Sequence, residues 1–159
     1  MDDSMPTIGR LAASVGIGLA AGVAGTVAMT ASSSLEAKVR GRGSSSAPAR
    51  AASAVLGVAP VDDRGEARFN QLVHWGYGTL WGGVGGLIRG LGLSGPAATA
   101  AHLGAVWGTE QAVLPATHVS PPATEWGATE IGVDLGHHVV YAVATGLAHE
   151  WLSGRRQGR

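Results

Sequence analysis

The sequence predicts an all-α membrane protein, a compact bundle of about four transmembrane helices with Gly-rich packing seams. Three observations predict it. Only 14% of the 159 residues are charged, against roughly 25% in an ordinary soluble domain. Gly (26) and Ala (27) together make up a third of the chain. The apolar residues gather into runs nearly free of Asp, Glu, Lys and Arg, each close to the roughly 20 residues that cross a hydrocarbon core.

The first helix is expected over about 9–35, because residues 11–35 carry no ionisable side chain. Asp2, Asp3 and a single Arg10 make a poor positive n-region, so this segment reads as a retained helix rather than a signal peptide. A polar loop follows over 36–68. Within it, Gly41-Arg42-Gly43-Ser44-Ser45-Ser46 reads as flexible chain. Residues 47–56 suit a short helix on the membrane surface, with Pro48 tolerated in its first turn.

The second helix is expected over about 69–89, where only His74 interrupts the run bracketed by Arg68 and Arg89. The third spans about 95–114, with His102 inside and Glu110 just past its charge-free stretch. A loop with Pro121-Pro122 leads to the fourth, about 129–151, which carries Asp134 near its start. The tail Arg155-Arg156-Gln157-Gly158-Arg159 is basic. Lys and Arg divide five against six between the two ends of such a bundle, so charge asymmetry assigns no orientation.

Glycine decides between lipid and water. In water Gly costs about 1 kcal/mol against Ala inside a helix. A soluble helix would not hold Gly76, Gly78, Gly82, Gly83, Gly85 and Gly86. In a membrane, small residues four apart let helices approach closely. Gly18 and Gly22, Gly78, Gly82 and Gly86, Gly104 and Gly108, and Gly132 and Gly136 all have that spacing. Each pair is expected to form a packing seam.

Composition excludes several function classes. Eleven basic residues balance eleven acidic ones, so no electrostatic footprint for nucleic acid exists. With no cysteine, disulfides, zinc–thiolate sites and a Cys nucleophile are ruled out. No Walker loop or nucleophile elbow is present. Gly76-x-Gly78 fails the dinucleotide fingerprint, because Trp81 stands where a third Gly is needed. The chain carries no enzyme signature.

Ionisable groups inside spans are costly and mark function by default. The intramembrane polar candidates are His74, His102, Glu110, Asp134, His137, His138 and Tyr141. Asp134, His138, Tyr141 and Thr145 share one helix face. His74 shares its face with Gly78 and Gly82, so it is expected to meet a close-packed neighbour. Glu110 is expected at the membrane boundary, in water. His118 and His149 are expected at the surface. Thr26 and Thr30 are expected to bond back to their own helix. The tryptophans read as interface anchors, with Trp81 packing inside instead.

Three uses of these groups stay open. The histidines satisfy one another or backbone carbonyls as interhelical hydrogen bonds. Or Asp134, His138, Tyr141, His102 and Glu110 pass protons. Or His74, His102, Asp134, His137 and His138 bind a transition metal or haem, with His74 facing His138 or His102 as axial ligands. Asp134-x-x-His137 resembles half of a di-iron element, but the second half is missing.

Residues 18–29, the element His74-Trp75-Gly76-Tyr77-Gly78 with its trailing glycines, and His137-His138-Val139-Val140-Tyr141 carry a family likeness. They resemble the YagU-like bacterial inner-membrane proteins, above all the short, Ala/Gly-rich actinobacterial members. The resemblance implies an integral, multi-pass helical protein of the bacterial inner (cytoplasmic) membrane. It implies no substrate, cofactor or catalytic residue. The expected function is a non-enzymatic membrane bundle with a packing or assembly role and no required cofactor. Its partners are the lipid bilayer and a homo-oligomer or another membrane protein. The alternatives are a small transporter or proton conductor, and a haem- or metal-binding membrane protein.

Overall fold

The computed structural model describes residues 7–43 and 45–157. Asp2, Asp3, Ser44 of the expected flexible loop, and Gly158 and Arg159 of the basic tail lie outside them, as do the side chains of Arg156 and Gln157. Among the described residues the chain is all helical: α1 (Thr7–Arg40), α2 (Ala47–Leu56), α3 (Asp63–Gly90), α4 (Gly95–Ala116) and α5 (Ala128–Gln157). A single 3-10 turn at Ala123–Glu125 precedes α5.

The long helices overrun their expected ends, and the polar loop 36–68 shrinks accordingly. Once past the apolar stretch, α1 continues through Glu36, Ala37 and Lys38, all good helix formers. Lys38 and Arg40 sit favourably at its C-terminal dipole. Gly41 stops it at φ +65°, a conformation Gly adopts without strain. Asp62 starts α3 early, because its carboxylate accepts the Gly65 N–H at 2.6 Å. Pro48 occupies the first turn of α2 and Gly57 closes it at φ 66°.

Four long helices form an up-down-up-down bundle. Ser14 and Thr30 of α1 meet Gly86 and His74 of α3, so these two run antiparallel. Ser14 and Ser32 meet His149 and His137 of α5 in the same sense. His102 of α4 meets Trp81 of α3, and Trp107 of α4 meets Asp134 of α5. Around the bundle the order is α1, α3, α4, α5. Tyr141 reaches across the diagonal, its hydroxyl donating to the Gly78 carbonyl at 2.5 Å. Short α2 lies against α3 near the end where α1 finishes, tied down by Arg50 donating to the Val119 carbonyl.

The interior is built mostly of small residues, with Ser14, Thr26, His102, His138, Thr145 and His149 as its polar members. Its buried apolar residues are Ala21, Ala37, Ala49, Ala51, Ala98 and Ala142, with Val106, Leu114 and Tyr141. The largest fully buried side chains are His102, Thr26 and Thr145. Large apolar side chains point outward instead: Leu72 (71%), Leu80 (67%) and Leu147 (64%) are mostly exposed. Val23, Val27, Val139 and Val143 are exposed as well.

Among the described residues, only α1 is long and apolar enough to cross a membrane by length and composition. Helices α3, α4 and α5 are long enough, at 28, 22 and 30 residues, but not apolar enough. Their inward faces spend His74, His102, His138, Tyr141 and Thr145 on the interior, which dilutes their mean hydropathy. Of the four expected spans, hydropathy therefore supports one.

Candidate functional site

Two helix contacts frame the interior polar groups. The first is dry. Gly18 and Gly22 of α1 meet Gly78, Gly82 and Gly86 of α3 backbone to backbone, or backbone to Thr26. An added Cβ at Gly82 would fall on the Gly22 Cα and the Gly18 carbonyl, neither of which can yield. This contact uses the expected seam. The other two seams are not used within the chain. Gly104 and Gly108 on α4, and Gly132 and Gly136 on α5, are exposed with no atom within 4 Å of an added Cβ. The inward faces of α4 and α5 are taken by His102, Val106, His138 and Tyr141, which turns those glycines out.

The histidines tie helices together. Thr30 spends its hydroxyl proton on the Thr26 carbonyl at 2.7 Å, so His74 donates Nε2–H to Thr30 Oγ1 at 2.8 Å. His102, fully buried against Gly85, donates Nε2–H to the Trp81 carbonyl at 2.8 Å. Its ring lies 5.5 Å from that of Tyr141. Ser14 donates to the Gly86 carbonyl at 2.7 Å, and His149 Nε2 reaches the Ser14 hydroxyl and carbonyl oxygens, each at 3.3 Å. His149 is buried, against the expectation of a surface position. It lies four residues after Thr145 and eleven after His138, so the helical period already placed it on the inner face. His118 is exposed, on the loop after α4.

At one end of the bundle His137 pairs with Ser32 Oγ at 2.8 Å, and its Nε2 lies 3.7 Å from Glu36. Glu36 accepts from Arg42 Nε at 3.0 Å and Arg40 Nη1 at 3.2 Å, and Arg40 continues to Glu130 of α5. Hydrogen bonding from Arg42 holds the Glu36 carboxyl below its ordinary value, with Arg40 adding to the effect against partial desolvation. At the opposite end Arg89, half-buried, donates to Thr99 Oγ1 at 3.1 Å. Neither the arginine cluster around Glu36 nor the inward turn of Arg89 was legible in the sequence. Both depend on which helices become neighbours.

The densest polar group lies between α4 and α5. Glu110, Asp134 and His138 each offer one ligand atom, and these lie within 4.8 Å of one another. The Glu110 side chain is 19% exposed, so it sits between helices and not in boundary water. Its inward turn follows from its place one turn beyond Val106, a buried position. Trp107 donates its indole N–H to Asp134 Oδ2 at 2.8 Å, so this tryptophan orients a carboxylate inside the bundle. The other tryptophans differ in use. Trp75 donates to Gln71, Trp126 to the Pro121 carbonyl, and exposed Trp151 lies under the Arg155 guanidinium. Thr26 and Thr30 bond back to their own helix.

Of the sequence candidates, the fold brings Glu110, Asp134 and His138 together. It leaves His74, His102 and His137 each with a separate partner. His74 Nε2 meets Thr30 of α1, His102 Nε2 the Trp81 carbonyl and His138 Nδ1 the Asp134 carbonyl. Comparison with protein-family models, with curated proteins and with solved structures returns no match.

Proposed function

We propose that this chain is an integral, four-span helical membrane protein, non-enzymatic, with a packing or assembly role in the bacterial inner membrane. One observation carries the reading: the polarity of the bundle is inverted. In water, a domain of this size buries Leu, Ile, Val and Phe. Here the buried residues are mainly Ala, Gly, Ser, Thr and His, with Val106, Leu114 and Tyr141 as the larger apolar members, while Leu72, Leu80, Leu147, Val139 and Val143 face out. Such an exterior has little to gain in water and everything to gain in hydrocarbon. Part of the low mean hydropathy of α3, α4 and α5 comes from His74, His102, His138 and Tyr141, which lie between helices, and part from exposed charges near helix ends such as Arg64, Glu66, Arg68 and Glu150.

The packing role is supported by how the interior side chains are used. His74, His102, Tyr141 and His149 each bond a different helix from their own. The YagU-like resemblance remains part of this proposal and rests on the residues that carry it.

The chain has no native cysteine, which makes the test direct. Single replacements Leu80→Cys and Val143→Cys on the outer faces, and Val61→Cys in the loop before α3, are challenged in intact membranes with a membrane-impermeant maleimide. With right-side-out and inverted vesicles both challenged, Val61→Cys is expected to label in one of the two, and the other two replacements to stay protected in both until detergent is added. Equal labelling of all three, or release of the protein by an alkaline wash, would overturn the proposal.

A further inference from the structure

We infer that Glu110, Asp134 and His138 form a binding site for one divalent transition-metal ion, of the zinc, manganese or iron(II) class. The inference does not depend on the membrane reading.

The free nitrogen of His102, Nδ1, is buried with no partner, whereas that of His138 lies against a carboxylate, and the proton positions explain why this matters. In His74 and His102 the partner of Nε2 is an oxygen that can only accept, so Nε2 carries the proton. His138 is reversed. Its Nδ1 lies 2.9 Å from the Asp134 backbone carbonyl, which can only accept, so the proton is on Nδ1. Nε2 of the neutral ring is then a bare lone pair. It lies 3.2 Å from Glu110 Oε2. That oxygen is buried with no hydrogen-bond partner. His138 itself is 7% exposed. Two acceptors lie in contact with each other, and a cation shared by both removes the conflict.

The surroundings point to a metal ion rather than to a proton alone. A proton would satisfy His138 and Glu110 but would leave a second carboxylate, Asp134, beside them. Asp134 Oδ2 is already held by the Trp107 indole, which fixes the carboxylate and leaves Oδ1 to bind. An imidazole whose other nitrogen donates to a carbonyl, and a carboxylate held by a hydrogen bond, are the outer-shell supports found around bound metals. One imidazole nitrogen with two carboxylate oxygens suits zinc, manganese or iron(II) and leaves open positions for water or substrate. Two negative charges also match a divalent cation. The ligands come from α4 and α5 alone, so an ion here joins these two helices at the Glu110–His138 end, away from the end where Gly146 of α5 packs against Thr99 of α4.

The test uses the full chain in mild detergent, dialysed against excess Zn2+ and then assayed for bound metal, with Co2+ as a spectroscopic probe. Wild type is expected to retain about one ion per chain and to give Co2+ visible bands of a low-coordinate site. Glu110→Gln, close in shape, is expected to lose affinity by at least tenfold, as is Asp134→Asn. Trp107→Phe touches no ligand atom. It is expected to weaken binding by about tenfold and shift the Co2+ bands, since Asp134 loses its orienting bond. His74→Ala is expected to bind normally. Circular dichroism confirms that each variant is folded. Bound Zn2+ that persists unchanged in folded Glu110→Gln and Asp134→Asn would overturn the inference. So would a folded wild type that retains none, the result expected of a site that takes only a proton.

Discussion

The α1–α3 and α4–α5 contacts start from the same sequence pattern and end differently. Each helix carries glycines four apart. Between α1 and α3 these glycines are the interface, and the backbones touch. Between α4 and α5 they face outward, and the helices are joined by Glu110, His138, Asp134 and Trp107 instead. Small-residue spacing thus says that a helix has a flat face. It does not say that the face is used. Where ionisable residues compete for the inner face they win, because leaving them unpartnered outside costs more than leaving a glycine uncovered.

The sharpest way to break this comparison is one substitution on each side. Gly82→Leu places a side chain on the backbone of Gly18 and Gly22, which has no rotamer to yield. It is expected to destabilise the bundle by about 3 kcal/mol or more, the upper range for overpacking. The Cβ that Gly104→Leu adds meets nothing within 4 Å, and this change is expected to leave stability unchanged or raise it by up to about 1 kcal/mol through helix propensity. Thermal melts in detergent, followed by helical circular dichroism, compare the two. Similar melting profiles would mean that the two glycine faces are equivalent after all.

Much of the fold was legible for a simple reason. Helix positions follow from runs free of charge, which are properties of short windows, whereas the ends set by Gly41 and Asp62 lie in what read as a polar loop. The face containing Asp134, His138, Tyr141 and Thr145 followed from helical period alone, and His149 belonged to it by the same arithmetic. What was not legible depended on pairing. Glu110 looks like a boundary residue until α5 brings His138 against it. Glu36 looks like a solvated charge until Arg42 folds back from beyond Gly41. Gly104 and Gly136 look like seam residues until the inner faces of their helices are taken.

Tyr141→Phe tests whether the two halves are coupled. The Tyr141 hydroxyl on α5 donates to the Gly78 carbonyl on α3 across the bundle diagonal. Removing it is expected to cost about 0.6–1 kcal/mol, the net worth of one interhelical hydrogen bond. No change in melting would mean that the glycine contact holds α3 in place without help from α5. In the opposite direction, Gly136→Ala on the uncovered face is expected to stabilise α5 by about 0.5 kcal/mol. Helix propensity rises there and no contact is lost. A fall in stability would reveal a partner for that face in the detergent-solubilised state.

The smallest expected effect lies at the end of the bundle, where charge rather than packing joins helices. Arg42, then Arg40, hold Glu36 below the ordinary carboxylate value of 4.5, and Arg40 carries the link to Glu130 on α5. A carboxyl with a lowered folded pKa stabilises the fold fully above its unfolded value. That contribution is lost as pH falls from the unfolded value through the lower folded one. The difference in melting temperature between wild type and Glu36→Gln is therefore expected to be positive near neutrality. It should shrink as pH falls below about 4.5. High salt is expected to reduce it at every pH, since these side chains reach solvent and the Debye length at 1 M is about 3 Å. A difference that ignored both pH and salt would place Glu36 with the packed interior, and the contrast between a dry, glycine-bound contact and a charge-bound rim would have to be redrawn.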